Sequence, residues 1–165
     1  VLDCETPLGQ VFIEEQYRVQ RVLEARGYTV INTSGKDNNA DVLLAKTIDG
    51  KLTISAMAEI KCRKTAGDVT LTREYLKGNG GYLITYSKLK YGSYAGSLLN
   101  IPFYVVVSLM AEGVILVWQI TDSTGGFVEK FEVRETPTRK TVNGGEITRR
   151  NAFLSMESKF LTVIE

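Results

Sequence analysis

Apolar residues at Val11, Phe12, Val19, Val22 and Leu23 recur at helical spacing between Pro7 and Gly27, which predicts an amphipathic helix ended by Gly27. The pattern then changes period. Tyr28 to Asn32 is a short β-rich run, Ser34-Gly35-Lys36-Asp37-Asn38-Asn39 is a turn-forming cluster, and Ala40 to Thr47 is a second apolar run. Asp49-Gly50 signals a hairpin whose return strand is Leu52 to Cys62. Ile84, Tyr91, Ala95 and Leu98 form a helical stripe, so a second helix is expected over Tyr82 to Leu99 despite its glycines. Ile101 to Leu109 and Val114 to Ile120, parted by Glu112-Gly113, read as buried strands. A weaker strand, Phe127 to Val133, and an amphipathic final stretch from Thr148 to Phe160, expected to hold a short helix, complete the chain. The expectation is one α/β domain over residues 1–165. Its core, 9–120, has the order α-β-β-β-α-β, and 121–165 form a C-terminal extension.

Composition narrows the chemistry. A chain of 165 residues with 24% charged residues fits one soluble domain, large enough to be stable without disulfides or a structural metal. Two cysteines, Cys4 and Cys62, make neither a disulfide framework nor a four-ligand zinc site. The expected setting is reducing and cytoplasmic, since no apolar run of membrane-spanning length and no signal peptide is read in the chain. Histidine is absent. That excludes Ser-His-Asp and Cys-His nucleophile pairs, zinc-protease helices and His-metal nuclease motifs. A net charge of +1 argues against purely electrostatic nucleic-acid binding while permitting a local basic patch.

The residual chemistry concentrates in the hairpin. In Met57-Ala58-Glu59-Ile60-Lys61-Cys62 the period-two rule sets Glu59 and Lys61 on one face and Ala58, Ile60 and Cys62 on the other. Asp41 opens the apolar run of the preceding strand, where a charge is expensive unless paired or metal-bound. On the first helix, Glu15 lies in the sector of Val11, Val19 and Val22, whereas Glu14 points about 100° away. On the second, Lys88 sits in register with the apolar stripe.

An Asp followed on the next strand by Glu-x-Lys, after an N-terminal helix, resembles the PD-(D/E)XK nuclease superfamily. The motif here is Asn39-Ala40-Asp41 and Glu59-Ile60-Lys61, with Ala40 in place of the naming proline. The likeness spans roughly residues 9–109 and includes element order. It implies a restriction-endonuclease-like core and hydrolysis of phosphodiester bonds in DNA, with RNA the less favoured substrate. Asp41 and Glu59, with the Ile60 carbonyl, would ligate Mg²⁺, for which Mn²⁺ can substitute. Lys61 would orient the attacking water, Glu15 would hold a second ion or its water, and Lys88 would lie near the scissile phosphate. Compact enzymes of this kind commonly pair to cut two strands, so a homodimer is expected too.

Nucleic-acid contact is assigned to Arg63 and Lys64 after the catalytic strand, to Arg73 in the next connection, and to Arg139, Lys140, Arg149 and Arg150 in the tail. Each site residue also has a structural reading. Asp41 can cap a turn, Glu59 and Lys61 can be an exposed ion pair, Glu15 can pair with Arg18 or Arg26, and Lys88 can snorkel. The rival from another class is a catalytically silent module of the same fold, in which Asp41, Glu59 and Lys61 diverge or salt bridges occupy the site. An RNA-processing nuclease on the same scaffold is the other alternative.

Overall fold

The computed structural model describes residues 5–33, 41–139 and 146–165. Asn39, Ala40 and Lys140 lie outside the described residues, as does the side chain of Arg139. Helix α1 (Pro7–Ala25) begins where expected, with Thr6 Oγ1 accepting from the Gly9 N–H at 3.1 Å and a proline at its first position. Strands β1 (Thr29–Asn32), β2 (Val42–Ile48) and β3 (Lys51–Arg63) follow. Asp49 and Gly50 adopt φ of 50° and 75°, the paired left-handed conformation of a type I′ hairpin turn.

The remaining elements are the short pair β4 (Thr65–Ala66) and β5 (Val69–Thr70), α2 (Arg73–Gly78), β6 (Tyr82–Thr85), α3 (Tyr86–Leu99), β7 (Phe103–Leu109), β8 (Val114–Gln119), β9 (Phe131–Arg139), β10 (Glu146–Leu154) and β11 (Leu161–Ile164). A six-stranded sheet runs β1-β2-β3-β7-β8-β11. Among the described residues its one parallel pair, β3 with β7, registers Glu59 against Val105 and Cys62 against Ser108. The fold is therefore mixed α/β, with the sheet at its centre. Val19 and Leu23 of α1 pack on one face with Ala58, Ile60, Cys62 and Val106. Leu89 of α3 packs on the other with Met57, Phe103, Val105 and Val107. Among the described residues no helix is long and apolar enough to cross a membrane.

Three expectations need correction. The helix over 82–99 begins only at Tyr86; Tyr82 and Ile84 are buried while Leu83 is exposed, a period-two pattern that pairs β6 with β10. The final stretch is not helical. Residues Glu146–Leu154 form β10, which hydrogen-bonds to β6 on one side and β9 on the other, and this tertiary pairing overrides the amphipathic pattern. The strand expected at Phe127 starts at Phe131 instead, leaving Phe127 in an isolated bridge with Thr121. Helix α2 is an addition, nucleated by Thr72, whose Oγ1 accepts from the Tyr75 N–H at 3.1 Å.

Candidate functional site

Four of the expected side chains meet on the α3 face of the sheet. Beyond the last paired residues of β2 and β3, Val42 and Ala58, the antiparallel register carries Asp41 opposite Glu59. Asp41 Oδ2 accepts from the Ile60 backbone N–H at 2.7 Å, which fixes the carboxylate at the strand end. Glu59 is only 2% exposed. Such a buried carboxylate is tolerable only with compensation. Lys61 Nζ stands 2.5 Å and Lys88 Nζ 3.4 Å from its Oε1, the first along the same strand and the second from the first turn of α3.

Lys88 reaches this position for a reason different from the expected one. Ile84 belongs to β6 and Leu98 is 68% exposed, so the apolar stripe assumed for the helix does not exist. Gly92 and Gly96 instead bring α3 close to the sheet: a Cβ on Gly92 would stand 2.1 Å from the Phe103 ring, and one on Gly96 2.7 Å from the Ile101 carbonyl oxygen. Lys88, one turn before Gly92, is thereby held over β3.

Burial and the neighbouring Glu59 carboxylate raise the pKa of Asp41 above the ordinary aspartate value, against the opposing pull of Lys61, the Ile60 N–H and Lys88. A carboxylate whose charge is disfavoured by a second one beside it suits a shared cation. Glu59 Oε1 adds a second sign. It is buried and, although two ammonium groups face it, no donor meets it in hydrogen-bonding geometry among the described residues. Mg²⁺ is held by one or two carboxylates with the rest of its shell from water and carbonyls, so Asp41, Glu59 and the Ile60 carbonyl form a fitting donor set. Among the described residues no group of three or more His, Cys, Asp or Glu is placed to hold a metal.

Glu15 does not join this cluster, which corrects its assignment as a ligand. It lies on the opposite face of the sheet, where both its oxygens accept from Arg18 Nε at 3.0 Å and its Oε1 accepts from Ser108 Oγ at 2.5 Å. Ser108 shares its face with Cys62 and Ile60, because Cys62 and Ser108 are register partners. The pairing of Glu15 with Arg18 is the structural alternative read from the sequence. Burial acts to raise the Glu15 pKa, but the hydrogen bonds from Arg18 and Ser108 outweigh it and hold the carboxyl below the ordinary range. Ser108 carried no signal of its own, being one hydroxyl in a run of valines.

The basic residues divide as well. Arg63, the last residue of β3, and Lys64 after it are exposed, and Arg149 and Arg150 are exposed on β10. Arg73 already has partners on the surface. Its guanidinium meets Glu165 at 2.7 Å and Glu112 at 3.5 Å in exposed ion pairs.

No protein-family model, curated protein or solved structure matches this chain.

Proposed function

We infer that this protein is a Mg²⁺-dependent nuclease hydrolysing phosphodiester bonds in DNA, with a core of the restriction-endonuclease-like type. The observation that carries this reading is the convergence of Asp41, Glu59 and Lys61, from two adjacent strands, on one face of the sheet. Bound Mg²⁺, or Mn²⁺ in its place, would supply Lewis acidity and neutralise charge on the phosphate. Asp41, Glu59 and the Ile60 carbonyl would hold it. Lys61 would orient the attacking water, whose proton would pass to bulk solvent. As the new P–O bond forms, the P–O bond to the departing sugar oxygen would break, and that oxygen would take a proton from solvent water. Lys88 would offset the negative charge gathering on the phosphorane. No imidazole is required, in keeping with a chain that has no histidine.

The test is divalent-ion-dependent cleavage of plasmid, single-stranded and branched DNA and of RNA, repeated with Asp41→Ala and Lys61→Ala. Loss of cleavage in both variants supports the reading, and undiminished cutting by either overturns it. Calcium, larger and more loosely coordinated, should bind while supporting little turnover.

One observation favours a second reading. Glu59 is already engaged by two lysines, the occupancy expected of a silent module of the same fold. A silent module needs no cation, so Mg²⁺ would leave its unfolding midpoint unchanged. A ligand bound to the native state alone would raise it.

A further inference from the structure

The outer face of α3 carries chemistry that the carboxylate cluster does not use. Lys88 points at Glu59, whereas Tyr86 and Lys90 lie two residues to either side, about 200° around the helix. With Ser93, Tyr94 and Ser97 they form a stripe at i, i+4, i+7, i+8 and i+11, about 16 Å long. Two open depressions share Tyr86 and Lys90. One continues to Arg149 and Arg150 of β10, and the other passes Tyr94 and Ser97 to Thr124 and Phe127.

Cations and ring faces alternate along this trough. Arg150 lies 5.2 Å and Lys90 6.0 Å from the Tyr86 ring centroid. Phe131 joins Tyr86 to Phe127, with centroids 6.0 Å and 5.2 Å apart respectively. Tyr94 is 65% and Phe127 42% exposed, so both keep aromatic surface open to solvent. Two carboxylates border the trough, and neither forms an ion pair with Lys90, Arg149 or Arg150 among the described residues. Asp122 accepts from the Thr124 N–H and hydroxyl and from the Gly126 N–H, and Glu135, opposite Arg150 across the strand pair, makes no ion pair with it among the described residues.

We propose that this trough is a binding track for single-stranded nucleic acid. Guanidinium and ammonium groups answer the phosphates, while exposed rings offer stacking surfaces that bases can reach only when they are unpaired. A duplex hides its base faces, so it could use only the cations. The same first turn of α3 that sends Lys88 to Glu59 sends Tyr86 and Lys90 into the trough, so a strand lying in it passes about one helix diameter, ~10 Å, from the cluster. That the bound strand is the substrate rests on the nuclease reading; that the trough binds it does not.

The experiment measures binding of fluorescent oligo-dT, oligo-U and a mixed-sequence duplex of equal length in EDTA, where no metal-dependent cleavage can occur, over a series of salt concentrations. Circular dichroism and thermal melting of each variant establish that it is folded. The wild-type protein is expected to bind single strands more tightly than the duplex. Tyr94→Ala, at an exposed position, should weaken single-strand binding at least about fivefold. Lys90→Ala with Arg150→Ala should make the slope of log K against log salt shallower by about 1.4, since each phosphate contact on a single strand contributes about 0.7. A duplex bound as tightly as the single strands, unchanged binding in the folded variants, or no single-strand binding at all overturns the proposal. Comparing oligo-dT with oligo-U assigns the strand to DNA or RNA. Single-strand binding without cleavage in Mg²⁺ would remove the nuclease reading and leave the trough standing. Cleavage with unaltered binding in the variants would do the reverse.

Discussion

Asp41 Oδ2 accepts a hydrogen bond from the backbone N–H of Ile60 at 2.7 Å, so the carboxylate at the end of one strand is clipped to the amide that follows Glu59 on the next. The contact sets the position of Asp41 without needing its charge. Burial and Glu59 oppose that charge, and the pKa of Asp41 is raised as a result. A carboxyl whose folded pKa exceeds its unfolded value holds its proton more tightly when folded, and its stabilising contribution is lost as pH rises through the folded value. At pH 7 the ionised group therefore weighs against the metal-free fold. Asp41→Asn keeps an oxygen to accept from Ile60 and removes the charge. It should raise stability in EDTA by about 0.5–2 kcal/mol while abolishing stabilisation by Mg²⁺. Urea unfolding with and without Mg²⁺ measures both effects, and a variant less stable than wild type in EDTA contradicts the argument.

Lys61 should behave in the opposite way. Removing it leaves the buried Glu59 with Lys88 alone, 3.4 Å away. Lys61→Ala should destabilise the metal-free protein by about 1–3 kcal/mol, the scale of leaving a buried polar group short of a partner. On the nuclease reading, cleavage should fall at least about a hundredfold, the scale of losing one positioned group that stabilises the transition state. An unchanged urea midpoint would show that Lys88 alone compensates Glu59.

Glu15 separates stability from chemistry. Its depressed pKa means that its contribution is present above the unfolded carboxylate value and is lost as pH falls through the lower, folded one. Glu15→Gln weakens the bonds to Arg18 and Ser108, and should lower stability at pH 7 by about 1–2 kcal/mol and flatten the acid limb of the stability curve. Cleavage should stay within about threefold of wild type, because the residue lies across the sheet from Asp41 and Glu59. A hundredfold loss of cleavage with stability intact would return Glu15 to the catalytic site.

Cys62 lies on that same face. Burial first, and then the Glu15 carboxylate, push its thiol up to about 11. Reactivity follows the thiolate, so Cys62 in a Cys4→Ser background should resist thiol reagents at pH 8 and react only on unfolding. Absorbance-monitored labelling in buffer and in denaturant checks this. Rapid labelling of the native protein would mean that the α1 face opens.

The central sheet was legible because its signals are local: the Asp49-Gly50 turn, the period-two run of β3 and the capped, periodic α1 all agree with the fold. Strand β10 was not, since its state is decided by pairing with β6 and β9 rather than by its own pattern. The same division holds at the site. Glu59 and Lys61 follow from alternation along one strand, and Asp41 from the cost of a charge in an apolar run. Glu15 looked catalytic because helical phase shows only that a carboxylate faces inward, not that Arg18 and Ser108 are waiting for it. Tyr86 and Lys90 give no such signal, because a helix read from residue 82 blurs the outer stripe.

Glycine in α3 is a close-approach device, and the competing effects can be weighed. Gly92→Ala would gain about 1 kcal/mol of helix propensity. Against this, its Cβ would stand 2.1 Å from the ring of Phe103, which is 1% exposed and has nowhere to go. Overpacking by a contact this short costs toward the upper end of about 1–3 kcal/mol, so the variant should be destabilised overall by up to about 2 kcal/mol. The helix must also lift from the sheet, drawing Lys88 away from Glu59. Cleavage should therefore fall even at temperatures where the variant is fully folded. Gly78→Ala provides the control, because its Cβ would meet nothing within 4 Å and its φ is not positive. It should leave cleavage unchanged and stability equal to wild type or up to about 1 kcal/mol higher. Thermal melts and initial cleavage rates of the two variants decide the matter: a Gly92→Ala protein as stable and as active as the Gly78→Ala control would show that α3 need not sit so close for Lys88 to act.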